Sequence, residues 1–194
     1  MIYLNDHIND FDLEQALASV SPQRREQALR YRQERDRRLS VAAYRLLQHA
    51  LLQEYGINEL PQLVINHNGK PSLAGHKGIH FSLSHCREAV ACIVGEHPVG
   101  IDVETYSHYS EEVAARVMSD EEISEINASV CPAEAFTRLW TMKESLFKLT
   151  GNDNDGDIAH MLDDISAYRF TTIVHGHYLC STCELALPSQ LTHS

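Results

Sequence analysis

The stretch GIDVE, which ends at Glu104, carries two carboxylates that can act together. Its apolar residues predict a β-strand, and because side chains alternate along a strand, Asp102 and Glu104 point to one face, about 7 Å apart. Two like charges on one face are costly without a counter-charge. Mg²⁺ is a natural one, since it binds one or a few carboxylates and leaves positions for water and substrate phosphate oxygens. Taken alone, the motif is explained more simply by an exposed strand edge.

A second stretch, WTMKESLFKLTG, predicts the end of a helix with charged groups on one face. Trp140, Glu144 and Lys148 stand at positions i, i+4 and i+8 and therefore share that face. Glu144 and Lys148 could form only a surface ion pair, but the tryptophan favours a partly buried setting, where charges need defined partners. If Glu144 meets the two carboxylates of GIDVE, the three form an oxygen-rich Mg²⁺ site with Lys148 beside it. Such a site suits a pyrophosphate.

Three further polar residues lie at the ends of predicted strands. Ser84 and His85 end the strand FSLSH, and both can donate hydrogen bonds to a phosphate, His85 with added charge when it is protonated. The Asn-Gly pair in HNGKPSL predicts a hairpin turn that holds Lys70 at an exposed tip. Each of these features is weak alone, because a Ser-His pair or a lysine in a turn is usually without function.

Helical periodicity and capping residues organise both parts of the chain. Proline, glycine and serine at the expected ends support most of these segments. Ser119 and Glu122 stand in capping-box spacing within one of them, ahead of Ile123 and Ile126. The predicted helices cover 11–18 with Asp10 as cap, a segment starting at Ser21-Pro22, 34–55 ended by Gly56, 107–130, and 132–151.

Short runs rich in valine and isoleucine predict the strands. Four of them, at 62–66, 78–84, 89–94 and 99–104, are predicted to form one mainly antiparallel sheet, and two more follow at 165–174 and 177–186. Because helices precede strands twice, the fold class is α+β with two similar halves. We expect an N-terminal half at 1–98, a C-terminal half at 99–194 and the active site between them.

Composition limits the classes of function. The net charge of −11 argues against nucleic acid as the general partner, because phosphate contacts need a basic surface. No apolar run is long enough to span a bilayer, and the acidic start lacks the features of a secretory signal, so we expect a cytoplasmic protein. Five scattered cysteines suit reduced thiols. Residues 24–45, however, hold eight arginines against three acids, which suits either an anionic ligand or a solvated helix face.

Together these motifs resemble one family, the 4′-phosphopantetheinyl transferases of the long, single-chain type built from two similar halves. GIDVE matches the family pattern G-[I/V]-D-[I/V]-E, and WTMKESLFK matches W-[S/T]-x-K-E-[A/S]-x-x-K about forty residues later. The upstream elements G-K-P and F-N-x-S-H correspond to Gly69–Pro71 and Phe81–His85, with Ser82 in place of the asparagine. The resemblance covers residues 21 to 151.

The resemblance implies transfer of the phosphopantetheine arm of coenzyme A to a serine of an apo acyl or peptidyl carrier protein. It implies Mg²⁺ on Asp102, Glu104 and Glu144, charge neutralisation by Lys148, and Glu144 or a carboxylate-bound water as the base. The matching positions for the 3′-phosphate and adenine end of coenzyme A are Lys70, Ser84 and His85, with Arg24 and Arg38 as further basic positions. Two fused halves also imply a monomer.

Two other functions fit parts of the sequence. A Mg²⁺-dependent hydrolase of a nucleotide pyrophosphate would use the same carboxylates, but it needs a dedicated water-activating group, and only Glu144 is available. A non-catalytic module that binds carrier proteins through the arginine-rich helix would leave the residues of the two signature motifs unexplained. The acidic segment GNDNDGD, where relatives often carry a lysine and glycines, is expected to bear on partner choice instead of ligand binding.

Overall fold

A computed structural model of the chain describes residues 1–66, 69–106, 109–151 and 157–186. Within these residues the α-helices are α1 (Leu13–Ala18), α2 (Pro22–Leu29), α3 (Glu34–Tyr55), α4 (Glu111–Val117), α5 (Asp120–Ala128) and α6 (Pro132–Thr150), and a short 3₁₀ helix covers Ile158–His160. The strands are β1 (Ile2–Asn5), β2 (Leu63–Ile65), β3 (Pro71–Leu73), β4 (His80–His85), β5 (Val90–Gly95), β6 (Val99–Thr105), β7 (Tyr168–His175) and β8 (Tyr178–Leu185).

Two three-stranded antiparallel sheets share one topology. The first has the order β1-β5-β4 and the second the order β6-β8-β7, so in each sheet the first strand pairs with the last strand of a hairpin. Helices separate the first strand from the hairpin in both cases, and the long helix of each set, α3 or α6, packs on its own sheet. This repeat confirms the predicted α+β fold with two similar halves. The boundary between residues 98 and 99 stays a prediction.

The two sheets pack against each other through the side chains that alternation places on their facing sides. Ala91 and Ile93 of β5 meet Ile101 and Val103 of β6 in one buried apolar cluster. The alternate residues of β5, such as Cys92, face α3 in a second cluster. In β6 the same alternation leaves Gly100 and Asp102 for the side covered by α6. The strand period therefore sets the direction of the acidic side chain.

The two sheets also meet edge to edge, where β4 lies beside β6. The backbone N–H of Ile101 donates to the hydroxyl of Ser82 at 3.2 Å, across the junction between the sheets. Next to it the hydroxyl of Ser84 donates to Asp102 Oδ1 at 2.7 Å. Serine side chains thus join the two edges at these positions. Ser82, which departs from the family asparagine, supplies an acceptor for the neighbouring strand.

The substitution Ser82→Ala is expected to destabilise the protein by about 1–3 kcal/mol, because it leaves the buried N–H of Ile101 without its acceptor. Ser82→Asn keeps an acceptor and should lie closer to the wild type. Chemical denaturation monitored by tryptophan fluorescence measures both. Ser72→Ala, at an exposed hydroxyl on β3, is the control and should change stability little. Equal effects at Ser72 and Ser82 would contradict this account of the junction.

The prediction of one sheet was wrong in three respects. The run at 62–66 forms a separate two-stranded ribbon of β2 with β3, and the runs near 80–85 and 99–105 belong to different sheets. The N-terminal strand β1 was not predicted, although it pairs with β5 along its whole length. Pairings between strands so distant in sequence leave no local pattern, so alternation predicts the strands but not their partners.

Most helix ends were predicted correctly, because caps are local. Gly56 ends α3 with φ of 66°, and Ser119 and Glu122 form the predicted capping box. Two details were wrong. The helix at 107–130 is divided into α4 and α5 before Ser119, and Asp12, not Asp10, caps α1. No helix within the described ranges has the length and apolarity needed to cross a membrane.

Candidate active site

Three polar side chains from three elements meet at the junction of the two sheets. Lys148 Nζ of α6 lies 2.6 Å from Asp102 Oδ1 of β6 and 3.0 Å from Ser84 Oγ of β4. Ser84 in turn donates to the same oxygen of Asp102 at 2.7 Å. Asp102 and Ser84 are buried, whereas the Lys148 side chain is 28% exposed. The structure therefore brings together residues from both predicted halves.

A glycine lets α6 come this close to β6. A Cβ atom on Gly100 would stand 1.8 Å from the carbonyl oxygen of Ser145 and 2.8 Å from the backbone nitrogen of Leu149. Both contacts are backbone atoms of α6, so no side chain can move aside to make room. The glycine of GIDVE thus sets the distance between the strand that carries Asp102 and the helix that carries Glu144 and Lys148.

Glu104 and Glu144 flank this cluster, and the pKa of each carboxyl is raised. Burial, then the negative charges of Asp102 and Glu144, raise the pKa of Glu104 to about 7, and Lys148 opposes this shift. Burial and the charge of Asp102 raise the pKa of Glu144, again against Lys148. The negative charge of these three carboxylates therefore exceeds what the nearby lysine neutralises. A cation placed among them would relieve the repulsion.

The donor set fits a hard cation. Carboxylate oxygens are the ligands that Mg²⁺ takes, and Asp102 Oδ2 is buried with no hydrogen-bond partner among the described residues. A buried carboxylate oxygen in that state lacks compensation for its desolvation. As they stand, however, no three histidine, cysteine, aspartate or glutamate side chains in the described part of the chain lie close enough to hold a metal ion. The predicted site of Asp102, Glu104 and Glu144 thus stays a proposal.

The raised pKa of Glu104 predicts how metal binding depends on pH. Because the pKa is about 7 in the folded chain against an ordinary 4.5, the metal-free folded state holds this proton more tightly than the unfolded state. Stability without metal should therefore fall as pH rises from about 4.5 to 7. Cation binding needs the ionised carboxylate, so the apparent affinity for Mg²⁺ should rise by up to about tenfold per pH unit below pH 7 and then level off.

Thermal unfolding with and without Mg²⁺ across pH 5.5 to 8.5 tests this expectation. Glu104→Gln removes the titrating group and should flatten the pH dependence of the Mg²⁺-induced shift in Tm. The matched control is Glu121→Gln, at an exposed position of α5, which should leave the dependence intact. A Mg²⁺ effect that does not vary over this range would contradict the assignment of Glu104 as a ligand.

A cleft leads away from the cluster between α6 and the first sheet. It has a volume of about 410 Å³ and is lined by the strip Gly69–Pro71, the side of β4 at Phe81–Leu83, and Phe147, Lys148 and Gly151 of α6. Lys70 was predicted at an exposed turn tip, and this was wrong. Its Nζ donates to the carbonyl of Leu149 at 3.1 Å, its side chain is half-buried, and desolvation lowers its pKa. His67 and Asn68, the other part of that predicted turn, lie outside the described residues.

A second cavity of about 500 Å³ adjoins this cleft, because Gly69 and Pro71 line both. Arg24 lines the second cavity, where its guanidinium lies 5.3 Å from the ring centre of Tyr44. Desolvation lowers the pKa of Arg24, and among the described residues no carboxylate lies within ion-pair distance of it. A half-buried guanidinium that has no carboxylate partner among the described residues is a candidate site for an anion.

Arg38 does not join Arg24 in this cavity. It pairs with Glu34 at 2.9 Å, donates to the carbonyl of Phe11 at 2.8 Å and lines a different cavity. The assignment of Arg38 to the ligand, which came from the family resemblance, therefore stays a prediction, and these contacts already use part of its charge. Arg38 lies near the start of α3, where its guanidinium contacts the N-terminal segment at Phe11 and the carboxylate of Glu34.

His85 lies at the exposed end of β4, one residue beyond Ser84. Partial desolvation of the ring and the positive charge of Lys148 lower its pKa, while Asp36 and Asp102 oppose the change. His85 is therefore mainly neutral near pH 7 in the absence of a ligand. An approaching phosphate would favour its protonated form.

Three residues of the site were not assigned a role from the sequence. Gly100 allows the close contact of strand and helix, Ser82 joins the two sheets, and Lys143 binds three oxygens behind α6. A signal existed for Lys143, because it follows Leu139 and precedes Leu146 on the apolar stripe of the helix. A lysine in such a stripe indicates a buried charge with defined partners.

The chain resembles known proteins over most of its length. A family model described as the 4′-phosphopantetheinyl transferase superfamily matches residues 98–194, half of the chain. A 4′-phosphopantetheinyl transferase of Bacillus subtilis is 27% identical over 153 residues, which are 77% of this chain and 68% of the relative. The transferase psf-1 of Bacillus pumilus is 33% identical over 72% of this chain and 61% of its own length. The transferase AcpT of Escherichia coli K12 is 33% identical over 57% of this chain and 56% of its own length.

Proposed function

This chain belongs to the 4′-phosphopantetheinyl transferase superfamily, and we propose that it moves the 4′-phosphopantetheine group of coenzyme A to a serine of an apo acyl or peptidyl carrier protein. Adenosine 3′,5′-bisphosphate is the other product. The observation that carries the proposal is the meeting of Asp102, Ser84 and Lys148 at the junction of the two sheets, beside a cleft of about 410 Å³. The cytoplasmic location and the monomeric state remain predictions from the sequence.

Coenzyme A would lie along the two adjoining cavities. Its pyrophosphate would lie beside Lys148, which lines the cleft and contacts Asp102. Lys70 lines the same cleft and Arg24 the adjoining cavity, and the charges of both are poorly compensated by protein groups. These two cations suit the 3′-phosphate and adenine end. Arg38 is left out of this proposal, because its guanidinium already donates to the carboxylate of Glu34 and to the carbonyl of Phe11.

The reaction joins the carrier serine oxygen to the phosphorus that bears pantetheine and breaks the bond from that phosphorus to the bridging oxygen. Glu144 accepts the serine proton, directly or through water, and the raised pKa of its carboxyl makes it a better base than an ordinary glutamate. Lys148 neutralises the charge that develops on the leaving phosphate of adenosine 3′,5′-bisphosphate. Both groups project from α6, so the position of this helix controls the chemistry.

Asp102, Glu104 and Glu144 would hold Mg²⁺, and Asp102 Oδ2 is the oxygen best prepared for it. When bound, the ion would supply charge neutralisation of the pyrophosphate, the main electrostatic need of phosphoryl transfer. Lys148 lies against Asp102 and neutralises part of the charge of that carboxylate.

A nucleotide-pyrophosphate hydrolase would use the same residues, and one experiment separates the two activities. The protein is incubated with coenzyme A and Mg²⁺, with and without an apo carrier protein, and adenosine 3′,5′-bisphosphate is measured by chromatography. The transferase releases it only when the carrier is present. Release at the same rate without carrier would identify a hydrolase, and no release with any of several carriers would overturn the proposal.

A further inference from the structure

Lys143 is a charged residue that the chemistry described above does not use. It precedes Glu144 on α6, belongs to the same sequence motif, and its side chain is 0% exposed. An ammonium taken out of water is strongly unfavourable unless its donors are satisfied and its charge is paired. Because Lys143 is fully enclosed, it cannot touch coenzyme A or a carrier protein in this conformation.

The surroundings of Lys143 meet both conditions. Its Nζ donates to the carbonyls of Ile158 at 2.7 Å and Ala159 at 2.8 Å, and it pairs with Glu122 Oε2 at 2.8 Å. An ammonium has three N–H donors, so each has an acceptor. Glu122 Oε2 also accepts the backbone N–H of Ser119 at 2.9 Å and so closes the capping box of α5. One side chain thereby connects α6 with the start of α5 and with the 3₁₀ helix.

These bonds hold α6 from the side away from β6. On the β6 side, the carbonyl of Ser145 rests against Gly100 with no room for a methyl group. The hydroxyls of Thr141 and of Ser181 on β8 form a further hydrogen bond at 2.8 Å. The helix is therefore fixed both in its distance from the strand and in its rotation. Glu144 follows Lys143 directly, so its direction depends on the same restraint.

We propose that Lys143 is a positioning residue: by binding Glu122 and the two carbonyls of the 3₁₀ helix, it sets the orientation of α6 and thereby the placement of Glu144 for the cation and the carrier serine. This inference rests on the proposed function. It explains why a lysine stands in the apolar stripe of the helix without contacting a ligand.

The test compares Lys143→Met, Glu122→Gln and the double variant by measurements that need no transfer. Hydrogen exchange of the segment 157–162 reports the contact itself, and Mn²⁺ binding by electron paramagnetic resonance, with coenzyme A present, reports the placement of Glu144. Lys143→Met should speed exchange in 157–162 and weaken Mn²⁺ binding about tenfold, as loss of groups that orient ligands commonly does. The double variant should be little worse than Lys143→Met, because the two residues act through one contact.

A destabilised control separates positioning from general loss of stability. Leu47→Ala creates a cavity in the core of the first half and should lower Tm comparably while leaving Mn²⁺ binding near the wild-type value. If Lys143→Met does not yield folded protein, Glu122→Gln alone keeps both carbonyl bonds and should show the same changes at smaller size.

Two outcomes would overturn the proposal. Faster exchange with unchanged Mn²⁺ affinity would make Lys143 a stabilising residue only. Weaker Mn²⁺ binding with unchanged exchange in 157–162 would mean that Lys143 acts on the cation site without this contact. Since exchange and Mn²⁺ binding are measured without a carrier protein, either result is distinct from failure of the transferase proposal itself.

Discussion

Asp102→Asn is expected to lower the rate of phosphopantetheine transfer by about 10²–10³-fold, the usual cost of losing one preorganised electrostatic group. The change removes the negative charge that faces Lys148 and the buried Oδ2 that has no partner among the described residues. The amide nearly matches the carboxylate in shape, so the fold should persist. Turnover with a saturating carrier protein measures the loss.

Two comparisons make this expectation specific. Asp120→Asn, at an exposed position in the first turn of α5, removes an equal charge and should leave transfer within about twofold. Glu144→Gln should resemble Asp102→Asn, since it removes both a candidate ligand and the base. Near-normal transfer by Asp102→Asn over a wide range of Mg²⁺ concentrations would show that this carboxylate is not part of the reaction.

Gly100→Ala is expected to lower both the stability and the transfer rate of this protein, because among the glycines with described surroundings Gly100 has the closest neighbouring atoms. The new Cβ would overlap the carbonyl of Ser145, so α6 must move away from β6. Overpacking of this kind costs about 1–3 kcal/mol of stability. A shift of about 1 Å in Glu144 and Lys148 can lower the rate of reaction by about 10²-fold.

Gly78→Ala is the matched control, because a Cβ at that position meets no atom within 4 Å. Both variants are compared by thermal unfolding and by transfer rate below the transition. We expect Gly78→Ala to match the wild type and Gly100→Ala to lose both stability and activity. If Gly100→Ala kept full activity, the close contact of strand and helix would not be needed for catalysis.

The parts of the fold set by local interactions could be predicted from the sequence. The stop of α3 at Gly56 and the capping box at Ser119 depend on neighbouring residues alone. The same holds for the alternation that turns Asp102 toward α6. The prediction that the two motifs lie close together in one site came from the family resemblance. Periodicity alone does not show which distant segments are in contact.

The remaining differences concern contacts between distant segments. Lys70 was placed at an exposed tip because a lysine after Asn-Gly is usually solvated, but the end of α6 supplies the carbonyl of Leu149 as its partner. Arg38 was matched to a basic position of the family, and the structure adds that Glu34 and the carbonyl of Phe11 contact its guanidinium. In both cases the tertiary partner decides what the cation does.

Transfer of phosphopantetheine can be read from the mass of a carrier protein after incubation with this enzyme, coenzyme A and Mg²⁺. We expect an apo carrier protein to gain the mass of one phosphopantetheine group. A variant carrier with alanine in place of the acceptor serine should gain nothing. No mass gain on several apo carriers, with the enzyme folded and Mg²⁺ present, would contradict the assignment of this chain as a phosphopantetheinyl transferase.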